Sequence, residues 1–395
     1  MPSFDSICVR AVPDPRTTKP HILPLYLTSS YTFDSIDDQI EVFNKHKSGH
    51  TYSRYGNPTV EAVASKIAQL ECFDSDFEGH GIMFGSGMAA LHTLLLSVLK
   101  NGDSVLTQGN LYGGSTELLL QIGPRCGIKP ILIDLADLEN VENVLKENRT
   151  IKLIFFETPT NPTLQCIDMA AICELAIKYG CLTAVDNTFA TPYLQRPFKF
   201  GVDIIMHSTT KYLNGHGNSI SGVLVGRDKE YMQTQVWTTM KLTGTILGPM
   251  DAWLVNQGIK TLALRMDRHC ENAQKVAEFL EDHPRVSLVN YIGLPGHPYH
   301  AIAKKQMEGF GGMLSFEVKG GLNAALGVIR KLRFCSLAPT LGDVDTLVLH
   351  PATSSHLNVP PEIREQNGIT DGMIRVSVGI EGVTDIISDF QNALE

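Results

Sequence analysis

Three short stretches of the chain hold residues whose types and spacing could do chemistry. Ser208-Thr-Thr-Lys211 sets hydroxyls and an ammonium side by side: the amine of Lys211 can form an imine with an aldehyde, and Ser208 and Thr210 can donate to phosphate oxygens. Asp186 closes the apolar run Leu182-Thr-Ala-Val185, where a carboxylate is costly to bury unless it meets a partner such as a protonated ring nitrogen. Phe84-Gly-Ser-Gly-Met-Ala-Ala90 precedes the apolar helix Leu91–Leu99, so small residues bring free backbone N–H groups close to an anion at the positive helix end. Taken singly, each has a plainer explanation: a solvated lysine, a carboxylate capping a turn, a glycine-rich turn closed by serine. Together they are what pyridoxal phosphate (PLP) needs, namely a lysine for its aldehyde, an acid for its pyridine nitrogen and donors for its phosphate.

The elements that must position these groups are legible as periodicity. From about Thr59 to Leu254, apolar runs of strand length alternate with helical patterns, the mark of βαβ units around a mostly parallel sheet. Strands are expected at Ser104–Thr107, Pro130–Asp134, Lys152–Glu157, Leu182–Asp186, Val202–Met206 and Ser221–Gly226, with helices near Ser115–Gln121 and Ala170–Lys178. Asp186, Ser208 and Lys211 then fall at or just after strand ends, where open α/β sheets place ligands. Residues 1–58, rich in Pro, Thr and Ser, read as an extended arm. Residues 255–395, with long helices at Arg265–Asp282 and Thr384–Leu394, read as a smaller α/β C-terminal domain.

Composition narrows the function class. The chain has 395 residues and a formal net charge of −9, opposite to what phosphate-backbone binding demands, so nucleic acid is not an expected partner. No run approaches the ~18 apolar residues of a membrane span, and the start lacks the basic and apolar regions of a signal peptide, so a cytoplasmic enzyme is expected. The eight cysteines contain no Cys-x-x-Cys and read as reduced, mostly buried thiols. No metal site is expected, and the closest histidine pair, His297 and His300, sits in Leu294-Pro-Gly-His-Pro-Tyr-His300, which reads as a surface turn.

Five motifs in order along the chain are Thr51-Tyr-Ser-Arg-Tyr-Gly-Asn-Pro-Thr59, Gly85-Ser-Gly-Met88, Glu157-Thr-Pro-Thr-Asn-Pro162, Val185-Asp-Asn-Thr188 and His207-Ser-Thr-Thr-Lys-Tyr-Leu-Asn-Gly-His216. With them the chain resembles the Cys/Met-metabolism family of PLP enzymes over nearly its whole length. That family includes methionine γ-lyase, cystathionine γ-lyase, cystathionine γ-synthase and O-acylhomoserine sulfhydrylase. The resemblance implies the aspartate-aminotransferase-like type I fold, Lys211 as the imine lysine and Asp186 as partner of the pyridine nitrogen. It implies Gly87, Met88, Ser208 and Thr210 as the phosphate cradle, and Tyr52 and Arg54 as the pair that reaches the phosphate of a neighbouring subunit, usually in a homotetramer. Tyr112 matches the tyrosine that stacks on the cofactor and protonates the departing γ group. Arg375 matches the binder of the substrate carboxylate, and Asn161 a contact to the cofactor's phenolic oxygen or to that carboxylate.

The same comparison marks departures. Gly114 stands where methionine γ-lyases carry cysteine. Pro339 stands where cystathionine enzymes carry an acid, and Thr340 replaces a serine that helps place Arg375 or the lysine. Asn218 replaces an aspartate, and Leu242 lacks the charge of the γ-lyase pattern. The expected activity is γ-elimination on a sulfur amino acid of the methionine or homocysteine type, ahead of γ-replacement on an O-acylhomoserine, of the cystathionine γ reactions and, more distantly, of transamination.

Overall fold

The computed structural model describes residues 3–10, 18–357 and 361–395. Seven strands, β1 (His80–Phe84), β2 (Ser104–Gln108), β3 (Lys129–Ile133), β4 (Ile151–Glu157), β5 (Leu182–Asp186), β6 (Ile204–His207) and β7 (Gly222–Gly226), form one sheet in the order β1-β7-β6-β5-β4-β2-β3. All pairings are parallel except those of β7, which runs antiparallel to both β1 and β6. The reason lies in its connection: the Ser208–Ser221 segment contains no crossover helix, and without one a strand returns antiparallel.

Both faces of this sheet are covered, and the side-chain alternation shows it. Leu106, Ile154, Phe156, Val185, Ile205, Val223 and Val225 belong to one buried cluster. Their strand neighbours Val105, Leu153, Phe155, Ala184, Ile204 and Leu224 belong to the other. Strands buried on two sides read as unbroken apolar runs, which is why they stand out in the sequence. β1 does not, because His80 and Gly81 dilute a short run. Gly81 is needed there: a Cβ would lie 2.4 Å from the Ala64 carbonyl oxygen on the helix Pro58–Glu71 that packs across it.

A second sheet follows in the order β10-β11-β12-β9-β8, built from β8 (Val286–Asn290), β9 (Met313–Val318), β10 (Ser336–Leu337), β11 (Leu347–Leu349) and β12 (Met373–Ser377). The helix Leu262–Glu281 leads into it and Val383–Leu394 closes the chain, within a residue or a turn of the expected positions. The N-terminal stretch is less extended than expected. Ser3 and Ser35 cap helices Phe4–Val9 and Ile36–Phe43, the second with Asp37 and Asp38 in its first turn, where acids favour the helix dipole. The expected helix near Ser115 divides into an α segment, Gly113–Glu117, and a wider π-type turn, Leu118–Ile122. His297 is a correction: it is buried, with its pKa lowered to about 4 by burial, and is no surface residue. Among the described residues no group of three or more His, Cys, Asp or Glu could hold a metal ion, and no helix is long and apolar enough to cross a membrane.

Candidate active site

Lys211 lies in the turn after β6 and reaches across to the second sheet, where its Nζ donates to Thr340 Oγ1 at 2.9 Å. Thr340 also receives Arg375: the Nη2 group donates to the Thr340 carbonyl at 2.8 Å, and Nη1 donates to Asn161 Oδ1 at 3.3 Å. Arg375 sits in the middle of β12, only 4% exposed, and its Nε is buried without a partner. Its acceptors are therefore neutral oxygens, and no described carboxylate pairs with it. A buried guanidinium in that state is short of an anion. Burial, then the Arg375 charge, lowers the Lys211 amine to a pKa of about 8.

Asp186 ends β5 and is buried; its Oδ1 accepts from the Thr188 amide at 3.0 Å and from the Thr188 hydroxyl. The same hydroxyl accepts from the Ser208 amide at 2.9 Å, so one threonine fixes both the acid and the start of the Lys211 turn. Burial pushes the Asp186 carboxyl up, and the Thr188 donors pull it back. Directly opposite on β4 lies Glu157, also buried. Its Oε2 accepts from the Tyr112 amide at 2.8 Å and its Oε1 from the Asn161 amide at 3.0 Å. Burial and the neighbouring Asp186 drive its pKa well above the carboxylate range.

The glycine-led helix Gly87–Val98 starts beside this group. Ser86 caps it, its Oγ accepting from the Ala89 amide at 3.0 Å, which leaves the first N–H groups facing outward. Space is tight: a Cβ on Gly87 would lie 2.9 Å from Ser208 Cβ. Ser208 Oγ has no hydrogen bond to a described residue and is open to an anion. Thr210 differs, since its Oγ1 donates to the Ser221 carbonyl at 3.1 Å and accepts from the Ser221 amide at 3.0 Å. Met88 and Tyr112 meet at Gly114, where a Cβ would lie 3.4 Å from the Met88 sulfur and 2.7 Å from Tyr112 Cε1. Asn218 accepts from Asn214 Nδ2 at 3.0 Å within its turn, and Leu242 is exposed.

Tyr52 and Arg54 are not brought to Lys211 within the chain. Arg54 Nη1 donates to the Lys241 carbonyl at 2.6 Å, and its guanidinium stands 4.9 Å from the Tyr55 ring centroid and 5.7 Å from that of Tyr52. Lys241 and Lys45 lie 4.5 Å and 4.9 Å from the Trp237 ring, extending a column of cations and rings. None of these three cations has a described carboxylate partner. A cleft of about 1280 Å³ runs beside this column, between the helix Pro58–Glu71, β1 and the helix Trp237–Thr243, and Lys211, Asp186 and Arg375 are not among its walls. This cleft is thus separate from the clustered chemistry.

The family described as Cys/Met metabolism PLP-dependent enzyme matches residues 5–395. This chain belongs to that family. L-Methionine gamma-lyase of Fusobacterium nucleatum is 44% identical over 94% of this chain and 93% of its own, and cystathionine beta-lyase of Lactococcus lactis is 43% identical over 96% and 95%. Among solved structures, cystathionine gamma synthase from Xanthomonas oryzae superposes with a TM-score of 0.92 at 36% identity, covering 100% of this chain and 98% of that one. Cystathionine gamma-lyase from Lactobacillus plantarum gives 0.91 at 37%, covering 99% and 98%. The α/β architecture is fold type I, the chain is an enzyme of sulfur amino acid metabolism, and its cofactor is PLP. The residues present fit that cofactor: a buried acid with one oxygen to spare, a lysine of lowered pKa, and a helix start too close to Ser208 for any side chain at Gly87.

Two buried acids of this region carried no role in the sequence reading. Glu157 stood in a quoted motif without one. Glu71, at the end of the helix Pro58–Glu71, meets His207 Nε2 and accepts from Asn187 Nδ2 at 3.1 Å, in a fully buried network beneath the Asp186 strand. An acid ending an amphipathic helix gives no local signal of such a partner; only the register of β5 and β6 reveals it.

Proposed function

We propose that this enzyme catalyses γ-elimination on L-methionine or L-homocysteine, consuming one water and giving 2-oxobutanoate, ammonia and methanethiol or hydrogen sulfide respectively. The observation that carries the reading is the loop at Thr340. Ser336-Leu-Ala-Pro-Thr-Leu341 borders both Lys211 and Arg375 and contains no acid, so nothing in it would greet a second ammonium at the far end of a substrate. A short, neutral γ substituent suits such a wall. The 44% identity to an L-methionine gamma-lyase points the same way.

The chemistry PLP supplies when bound is an electron sink for the bond broken at Cα. Asp186 holds the proton on the pyridine nitrogen that makes the sink effective, aided by its low-dielectric surroundings. Ser208 and the N–H groups at Gly87 and Met88 hold the phosphate. Arg375 binds the substrate carboxylate with its planar fork, while Asn161 and Thr340 fix the fork's plane. Lys211, whose free amine is lowered to about 8 by burial and Arg375, would be the base that removes the Cα proton. Tyr112 delivers a proton to the departing γ sulfur.

Tyr52 and Arg54 serve the phosphate site of a neighbouring subunit in a cytoplasmic homotetramer. In support, their cation–ring column lacks acids, and the helix Ile36–Phe43 exposes Ile36, Ile40 and Phe43 along one side. The activity is tested by offering L-methionine, L-homocysteine, L-cystathionine and O-acetyl-L-homoserine, with and without sulfide, and measuring 2-oxobutanoate and new thiol or thioether. Release of 2-oxobutanoate from methionine or homocysteine is expected. If homocysteine forms from the acetyl ester while 2-oxobutanoate comes from none of the four, γ-replacement is the activity instead.

A further inference from the structure

Glu157 is an acid in an unfavourable place. It is buried, lies opposite a second buried acid, and has no described cation to pair with. What it does have is two backbone donors, one on each carboxylate oxygen: the Tyr112 amide on Oε2 and the Asn161 amide on Oε1. These come from separate loops, the turn entering Gly113–Glu117 and the turn after β4. Its own backbone is held too, for Gln108 at the end of β2 donates from Nε2 to the Glu157 carbonyl at 3.1 Å and accepts the Glu157 amide on Oε1 at 3.2 Å. The strand end is therefore rigid, and the carboxylate acts as a staple between two loops.

Tyr112 depends on that staple. Its side chain is 45% exposed and its phenol has no hydrogen bond to a described residue, so the ring is located by its backbone and by contact at Gly114. Asn161, held by the other oxygen, turns its side chain onto Arg375. We propose that Glu157 is a positioning residue that holds Tyr112 in register with the Asn161–Arg375 pair, so that the tyrosine acts on the γ substituent of a substrate anchored by its carboxylate. The inference rests on the reading of Tyr112 as the γ-proton donor and Lys211 as the Cα base.

The experiment compares Glu157→Gln, Glu157→Asp and Tyr112→Phe with the unchanged, PLP-loaded enzyme on two reactions. Exchange of the Cα hydrogen of L-norvaline into deuterium oxide, followed by proton NMR, needs Lys211 and the cofactor but no γ leaving group. Release of 2-oxobutanoate from L-methionine needs Tyr112 as well. Glutamine presents an NH₂ group to one of the two amides, and aspartate falls short by a methylene. Both are expected to lower kcat for 2-oxobutanoate release by about ten-fold or more, the size of effect ascribed to lost general-acid positioning. Cα exchange is expected to stay within about two-fold, with the cofactor's visible absorbance unchanged. Equal loss of both reactions in both variants would reduce Glu157 to a structural residue, and unchanged release would remove it from the mechanism. If Tyr112→Phe keeps full release, the reading of Tyr112 fails instead, whatever Glu157 does.

Discussion

At the scale of single residues, the site works by withholding partners. Lys211 has a neutral hydroxyl where a surface lysine would have water or an acid, and Arg375 has two carbonyl-type oxygens and, among the described residues, no carboxylate. The lowered Lys211 pKa, caused first by burial and then by Arg375, means the neutral amine is half populated at about pH 8, where an ordinary lysine is almost wholly protonated. In protein freed of its cofactor, the rate of PLP uptake followed by absorbance should therefore rise with pH to a midpoint near 8. Arg375→Met should move that midpoint upward, since losing a nearby cation favours the protonated amine. A second expectation concerns Gly114. An added methyl would meet the Tyr112 ring at 2.7 Å, and an exposed ring yields where backbone would not, so Gly114→Ala should redirect Tyr112. Release of 2-oxobutanoate should fall several-fold, a rise of ~1 kcal/mol in barrier, while the melting temperature stays close to its starting value.

Which residues were legible follows from the same facts. The places of Lys211, Asp186 and Gly87, after a strand, at a strand end and at a helix start, were legible from the apolar runs beside them. Glu157 could not: its contacts are backbone amides of Tyr112 and Asn161, and an amide leaves no mark in the sequence of what it donates to. Thr210, expected at the phosphate, also holds the turn, its hydroxyl bonding both the carbonyl and the amide of Ser221. A hydroxyl's neighbour along the chain does not reveal which way it points.

At the scale of elements, the helix Gly87–Val98 and the turn before Lys211 approach until only glycine fits between them. Gly87→Ala would bring a methyl to 2.9 Å from Ser208 Cβ and 3.1 Å from its Cα, which must separate the helix start from the turn before Lys211, the two halves of the proposed phosphate cradle. The expected outcome is loss of PLP on dialysis, with affinity reduced about ten-fold or more by fluorescence titration. Strands buried on both faces were legible from their apolar runs. β1 was not, because Gly81 is set by the close helix above it, and neither was the reversal of β7, which depends on a connection without a helix. The π-type turn at Leu118–Ile122 was equally hidden, as its composition is that of an ordinary helix.

At the scale of the whole molecule, the separation of Tyr52 and Arg54 from Lys211 is the leading observation. If their partner is a phosphate held by a neighbour, two defects in different subunits can be sorted into one site. Mixing Lys211→Ala with Arg54→Ala, each expected to be inactive or nearly so, and allowing subunits to exchange should restore measurable 2-oxobutanoate release, since some sites then draw both residues from unaltered chains. Separately kept proteins at the same total concentration are the control. Residues 1–58 read as an extended arm, yet Phe4 and Cys8 are buried in the main core, and the helices of this stretch and the direction of its cations required coordinates.

The column of Lys45, Trp237, Lys241, Tyr55 and Arg54 has a consequence for how the enzyme behaves when scarce. If, as proposed, its phosphate grip is lent by a neighbouring subunit, the enzyme keeps its cofactor only while neighbours are found. Dilution then costs it more than collisions with substrate: activity per chain should drop below a threshold concentration, and added PLP should lower that threshold by mass action.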